Sequence, residues 1–172
     1  MTVLVTGGAG YIGSHMVLEL VDRGEKVVVL DDLSTGVEWA VPPSAELVVG
    51  DVADQPLVER VMREKGIDAM AHFAAKIVVP ESVADPLGYY LGNTVKTRAL
   101  IESAVRSGVK NIIFSSTAAV YGEPAVNPIP EDLPLAPINP YGRSKLMSEW
   151  MLQDTAKAHG LSVVALRYFN VA

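Results

Sequence analysis

The segment Gly7-Gly8-Ala9-Gly10-Tyr11-Ile12-Gly13 constrains this chain more than any other. Gly8, Gly10 and Gly13 satisfy the pattern G-x-G-x-x-G, and Gly7 adds a second reading, G-x-x-G-x-x-G. The segment follows a short apolar run, Val3–Thr6, and opens a stretch with apolar residues at Ile12, Met16 and Leu20. A strand, a tight turn and an amphipathic helix are the setting in which such glycines carry meaning. The turn is tight, a side chain would hold the backbone off a pyrophosphate, and the helix must come close to the strand. Free N–H groups and a partial positive charge at the helix start then favour phosphate. Asp31 ends the second apolar run, eighteen residues past Gly13, and Asp32 follows it. A carboxylate there accepts both ribose hydroxyls of adenosine and repels a 2′-phosphate, so NAD is expected over NADP. Asp51, after the third run, suits the adenine amino group, and an ordinary loop or N-cap role nearly as well.

Six β-branched runs bounded by turn residues predict six strands: Val3–Thr6, Lys26–Asp31, Glu46–Gly50, Asp68–Phe73, Asn111–Ser116 and Ser162–Tyr168. Helix-length segments lie between most of them, with apolar residues at three- and four-residue spacing as in Leu57, Val58, Val61 and Met62. The runs are nearly continuous in Val, Ile and Leu, as when both faces of a sheet are covered. The expected class is α/β, a doubly wound parallel sheet (Rossmann fold) in strand order 3-2-1-4-5-6 with helices on both faces. Two segments break the alternation. Leu33 to Ser44 carries Ser34-Thr35-Gly36 and Pro42-Pro43 and reads as a loop. Glu123 to Pro140 holds six prolines and reads as an extended excursion over the surface. The 172 residues fit a single domain, with no internal repeat and no linker.

Tyr141-Gly142-Arg143-Ser144-Lys145 sets a phenol and an ammonium four residues apart. With Pro140 at a helix start and Leu146 and Trp150 beyond, the two share one helix face. A neighbouring cation favours the phenolate, which would bring a group of ordinary pKa ~10 toward usable base strength. The strand ending in Phe114-Ser115-Ser116-Thr117 delivers hydroxyls to the edge where an α/β sheet presents ligands.

In order along the chain, Thr6 to His15, Asp31-Asp32-Leu33-Ser34, Phe73-Ala74-Ala75-Lys76, Asn93, Phe114 to Gly122, Tyr141 to Lys145 and Leu166-Arg167-Tyr168-Phe169-Asn170 resemble the extended short-chain dehydrogenase/reductase superfamily. Within it they are most similar to the 4-epimerases of UDP-glucose. The resemblance implies that Tyr141 is the catalytic base, that Lys145 binds the nicotinamide ribose and tunes Tyr141, and that Thr117 hydrogen-bonds the sugar O4. It implies NAD contacts from Gly7, Gly10, Tyr11, Ile12, Gly13, Asp31, Asp32, Asp51, Val52, Phe73, Ala74, Lys76, Asn93 and Tyr168, together with Tyr141 and Lys145. Substrate contacts would come from Lys76, Thr117, Tyr141 and Asn170. The implied reaction oxidises C4 of UDP-glucose or UDP-galactose, lets the 4-keto sugar turn over, and returns hydride to the opposite face. A sister 4,6-dehydratase needs acidic residues just after the active-site threonine, where this chain has Ala118 and Ala119. Relatives usually run well over a hundred residues further, so the expectation for 1–172 is a cofactor domain with its catalytic residues but without most of the substrate-binding lobe. The alternative is a stand-alone NAD-binding module with little turnover.

Composition narrows the partners. A net charge of −6 and the lack of any basic run argue against nucleic acid. The longest apolar runs, such as Val27–Leu30, hold four residues, far short of the ~20 of a membrane helix. Without cysteine there is no disulfide or thiolate site, and with no signal-peptide pattern at Met1–Thr6 the expected location is the cytoplasm. His15, His72 and His159 fall in three separate elements, so no metal is expected. Apolar residues on more than one face of the helices around Tyr89–Arg106 (Leu91, Val95, Leu100, Ile101) and Tyr141–His159 (Leu146, Met147, Trp150, Met151) point to a homodimer, as is usual in the family.

Overall fold

The computed structural model describes residues 1–171. Six strands form one parallel sheet: β1 (Thr2–Thr6), β2 (Lys26–Asp31), β3 (Glu46–Val49), β4 (Ala69–His72), β5 (Asn111–Thr117) and β6 (Ser162–Tyr168). Their order is β3-β2-β1-β4-β5-β6, as expected, and every strand boundary lies within one residue of its sequence prediction. Helices α1 (Tyr11–Asp22), α2 (Gln55–Glu64), α3 (Val79–Ala84), α4 (Pro86–Tyr89), α5 (Lys96–Ser107) and α6 (Pro140–His159) complete the fold, with a π turn over Tyr90–Val95 joining α4 to α5.

Alternate side chains of each strand enter alternate cores. Leu4, Val28, Leu30, Met70, Ile112 and Phe114 pack with Val58, Val61 and Met62 of α2, Leu100 and Ala104 of α5, and Leu152 of α6. Val3, Val5, Val27, Val29 and Ala71 face the other way, onto Val17 of α1. The connections running toward β3 and toward β6 cross on opposite faces, as right-handed crossovers require. Cover on the α1 face is therefore unequal. At the β5–β6 pair, Ile113 and its partner Val164 stand 36% and 54% exposed on that face.

Between β2 and β3 the chain makes only a 3-10 turn, Glu38–Ala40, because Gly36 and the Pro42-Pro43 pair leave no room for a longer helix. The proline-rich segment after Gly122 is irregular but anchored: Ile129, Leu133 and Leu135 pack on Val120, Tyr121 and Leu146. It delivers Asn139, whose side chain accepts from the Gly142 N–H at 2.8 Å and starts α6 at Pro140. Among the described residues no helix is long and apolar enough to cross a membrane.

Candidate active site

A cavity of about 1140 Å³ opens along the C-terminal ends of the strands. The connections reverse direction between β1 and β4, and ligands of open α/β sheets settle at such a point. The glycine turn forms one wall. Gly7 has φ +71°, and a Cβ there would lie 2.5 Å from the Ala74 amide nitrogen. A Cβ on Gly13 would stand 2.1 Å from the Gly7 carbonyl oxygen, so this residue sets how closely α1 approaches β1. Gly10 is the N-cap of α1 and offers no side-chain acceptor to its first turn. That turn, Tyr11 to Gly13, lines the cavity.

Asp31 is buried at the end of β2 and fixed from two sides. Its Oδ2 accepts from the Ala9 N–H at 2.9 Å and its Oδ1 from the Leu33 N–H at 2.9 Å. The carboxylate thus ties the glycine turn to β2, and Leu33 takes the left-handed φ of 57° to close the loop. Asp32 accepts from the backbone and hydroxyl of Ser34, at 2.9 and 2.6 Å. Asp51 accepts from the Ala53 N–H at 2.8 Å and is ion-paired with Lys96. Burial pushes its carboxyl upward, but the Lys96 hydrogen bond, the Ala53 N–H and the Lys96 charge outweigh that and hold it below the usual carboxylate range.

At the other end, Thr117 closes β5 and caps a 3-10 turn, Ala118–Tyr121, by accepting from the Ala119 N–H at 3.1 Å. Tyr141 and Lys145 stand one turn apart at the start of α6, and all three line the cavity. Lys145 is fully buried, donates to the Ser115 carbonyl at 2.9 Å and sits 5.0 Å from the Phe114 ring centre. Burial lowers its pKa to about 8. Burial raises the Tyr141 phenol above its ordinary value, and a hydrogen bond with Thr117 offsets part of this. The spacing of Tyr141 and Lys145 pointed to a phenol brought down by the ammonium. Instead the Nζ is engaged with a main-chain carbonyl, and desolvation of the phenol dominates.

Val52, Phe73, Ala74, Lys76, Tyr168 and Asn170 all line the same cavity. Asn93 does not. It is buried beneath the floor, where its Oδ1 accepts from the Lys76 N–H at 2.8 Å and its Nδ2 donates to the Lys76 carbonyl at 2.9 Å and to Ser144 Oγ at 3.1 Å. The side chain clamps the main chain that carries Lys76 instead of reaching the cavity itself. Ser116 lines the cavity, but its hydroxyl donates to the buried Glu149. Glu149 is paired with Arg167, which donates onward to the Tyr121 hydroxyl at 2.6 Å and the Glu131 carbonyl at 3.3 Å. Sequence reading missed this network and missed Lys96. Neither belongs to a spacing motif, and only the fold brings the partners together.

A parallel sheet whose C-terminal edge carries the glycine turn at one end and a threonine, tyrosine and lysine at the other defines a Rossmann-type domain of the dehydrogenase kind. Residues 3–172 match the NAD dependent epimerase/dehydratase family. The chain belongs to that family. It is 56% identical over 170 residues to a UDP-glucose 4-epimerase of Azospirillum brasilense, a match covering 99% of this chain and 49% of that protein. The UDP-glucose 4-epimerase of Brucella ovis, solved in complex with NAD, superposes with a TM-score of 0.96 at 47% identity, over 98% of this chain and 52% of that one. The Thermotoga maritima enzyme, solved with UDP-glucose, gives 0.96 at 37% identity, over 100% and 56%. The chain spans about half the length of the curated relatives it matches.

Proposed function

We propose that this chain is the cofactor-binding and catalytic portion of an NAD-dependent 4-epimerase interconverting UDP-glucose and UDP-galactose. The observation that carries the reading is the placement of Thr117, Tyr141 and Lys145 on the wall of the cavity that the glycine turn and Asp31 open. The cavity suits a dinucleotide: Gly10 leaves the start of α1 without a side-chain cap, and Asp31 is an anchored acceptor at the ribose position. The NAD complex of the Brucella ovis relative supports the cofactor, and the UDP-glucose complex of the Thermotoga maritima relative supports the substrate.

NAD, when bound, supplies the hydride acceptor and donor at the sugar C4. Tyr141 takes the proton of the C4 hydroxyl and later returns it, with Thr117 holding the same oxygen. Lys145 contributes a positive charge beside the cofactor ribose and the phenol. Burial raises the Tyr141 phenol, the Thr117 hydrogen bond offsets part of this, and positive charge beside the phenol favours the phenolate that accepts this proton. Ala118 and Ala119 give elimination no acid, which favours epimerisation over dehydration. We place most of the groups that hold the nucleotide sugar in the half of the relatives' length that this chain does not span. The 172 residues alone are then expected to bind NAD and turn over slowly, because the 4-keto sugar must be held and water excluded while it rotates.

We also infer a homodimer through the α4–α5 and α6 faces, where Leu87, Leu91 and Trp150 are 78%, 56% and 53% exposed. Only part of the expected apolar surface is available for it: Leu100, Ile101 and Leu146 are core. The absence of cysteine supports a reducing compartment, the cytoplasm.

Acid release of the nucleotide from purified protein should yield NAD; NADP as the main species overturns the reading of Asp31. Tyr141→Phe should keep NAD and lose its reduction by UDP-glucose by ~10²–10⁴-fold. An unchanged rate reassigns the base.

A further inference from the structure

We infer that Lys96 is a positioning residue for adenine recognition, acting through Asp51; the inference rests on the NAD reading above. Three carboxylates, Asp31, Asp32 and Asp51, line the cavity beyond β2 and β3. Asp31 and Asp32 are oriented by the backbone and hydroxyl donors of their own turn and of the glycine segment. Asp51 is held differently. One oxygen accepts from the Ala53 N–H at 2.8 Å, and the other is paired with the Lys96 ammonium, which arrives from the first residue of α5.

That second contact decides what Asp51 can do. Its side chain is 40% exposed, so with the Ala53 bond alone the carboxylate could swing toward water. With both oxygens engaged it is fixed in rotation, kept ionised, and limited to accepting hydrogen bonds. Each carboxylate oxygen retains a second acceptor site. Lys96 itself lines the cavity, so the pair stands at the cavity wall. A donor on the base, the exocyclic amino group of adenine, satisfies a carboxylate held this way. A base with a carbonyl oxygen in the same place meets like charge instead. Lys96 therefore sets base selectivity, whereas Asp31 sets selectivity at the ribose.

The test separates the two. The nucleotide-free chain is titrated calorimetrically with NAD, NADP and nicotinamide hypoxanthine dinucleotide, for the native protein and for Lys96→Met and Lys96→Arg. Native protein should bind NAD about tenfold or more tighter than the hypoxanthine analogue, the scale of one charge-assisted hydrogen bond. Lys96→Met keeps the aliphatic stem and should bring that ratio below about threefold while leaving the NAD-to-NADP ratio unchanged; Lys96→Arg should restore it. A native protein that binds NAD without discriminating the analogue overturns the inference and leaves the NAD reading standing. A ratio unmoved in Lys96→Met, or equal weakening of all three dinucleotides, also overturns it and makes Lys96 a structural residue. A native protein that binds none of them removes both readings.

Discussion

His72, at the end of β4, is buried between two threonine hydroxyls: Nδ1 lies 2.6 Å from Thr6 Oγ1 and Nε2 lies 2.9 Å from Thr97 Oγ1. Burial, reinforced by the Lys145 charge, lowers its pKa to about 3, against 6.5 unperturbed. Above pH 6.5 neither folded nor unfolded protein protonates it, and its contribution is intact. As pH falls from 6.5 toward 3 the unfolded chain takes up the proton and the folded one does not, so stability drops by up to about 1.4 kcal/mol per pH unit. His72→Gln should be less stable than native protein at pH 7, and the gap should close between pH 6 and 4 in urea melts; a constant gap would count against this assignment. Lys145 works at the other end of the scale. Its folded pKa of about 8 lies below the ordinary 10.5, so its burial costs stability below pH 8 and the cost is relieved as pH rises toward 10.5. Lys145→Met should therefore stabilise the fold at pH 7, as far as the lost hydrogen bond to the Ser115 carbonyl does not offset it, read as a higher melting temperature, while abolishing turnover. Tyr141 and Lys145 were legible from a four-residue spacing. The direction of the phenol's shift was not, because it depends on burial and on where the ammonium points.

Between elements, the buried Glu149–Arg167 pair ties α6 to β6. Glu149 is 1% exposed on α6, and Arg167 reaches it from β6 while touching the 3-10 turn through Tyr121 and the proline-rich segment through Glu131. Its members neighbour the site residues: Ser116 precedes Thr117, Arg167 precedes Tyr168, and Glu149 lies one helical turn past Lys145. Arg167→Met leaves a buried carboxylate without its cation and should cost ~3–5 kcal/mol. Arg167→Met combined with Glu149→Leu should recover most of that loss in the same denaturant melts. The strands and most helices were readable because apolar periodicity is a local signal. The π turn over Tyr90–Val95 was not, since it places Asn93 where it can clamp Lys76, a contact seventeen residues apart. The proline count correctly marked an irregular segment, but not that Ile129, Leu133 and Leu135 would bury against Tyr121 and Leu146.

For the whole molecule, the proposed dimer makes a measurable claim. Native protein should scatter light as a dimer at tens of micromolar, and the double variant Leu91→Asp with Trp150→Asp should scatter as a monomer with NAD affinity unchanged. A monomeric native protein removes the dimer. The order β3-β2-β1-β4-β5-β6 has a further consequence, for synthesis. β2 and then β3 add outward from one side of β1, and β4, β5 and β6 add outward from the other. No strand has to insert between two that are already paired. A chain emerging from the ribosome can therefore lay down each strand against a finished edge, consistent with folding that proceeds from the N-terminus during translation. The glycine turn, Asp31 and Asp51 are all made within the first third of the chain, so the nucleotide end of the cavity can take shape before Tyr141 has been added.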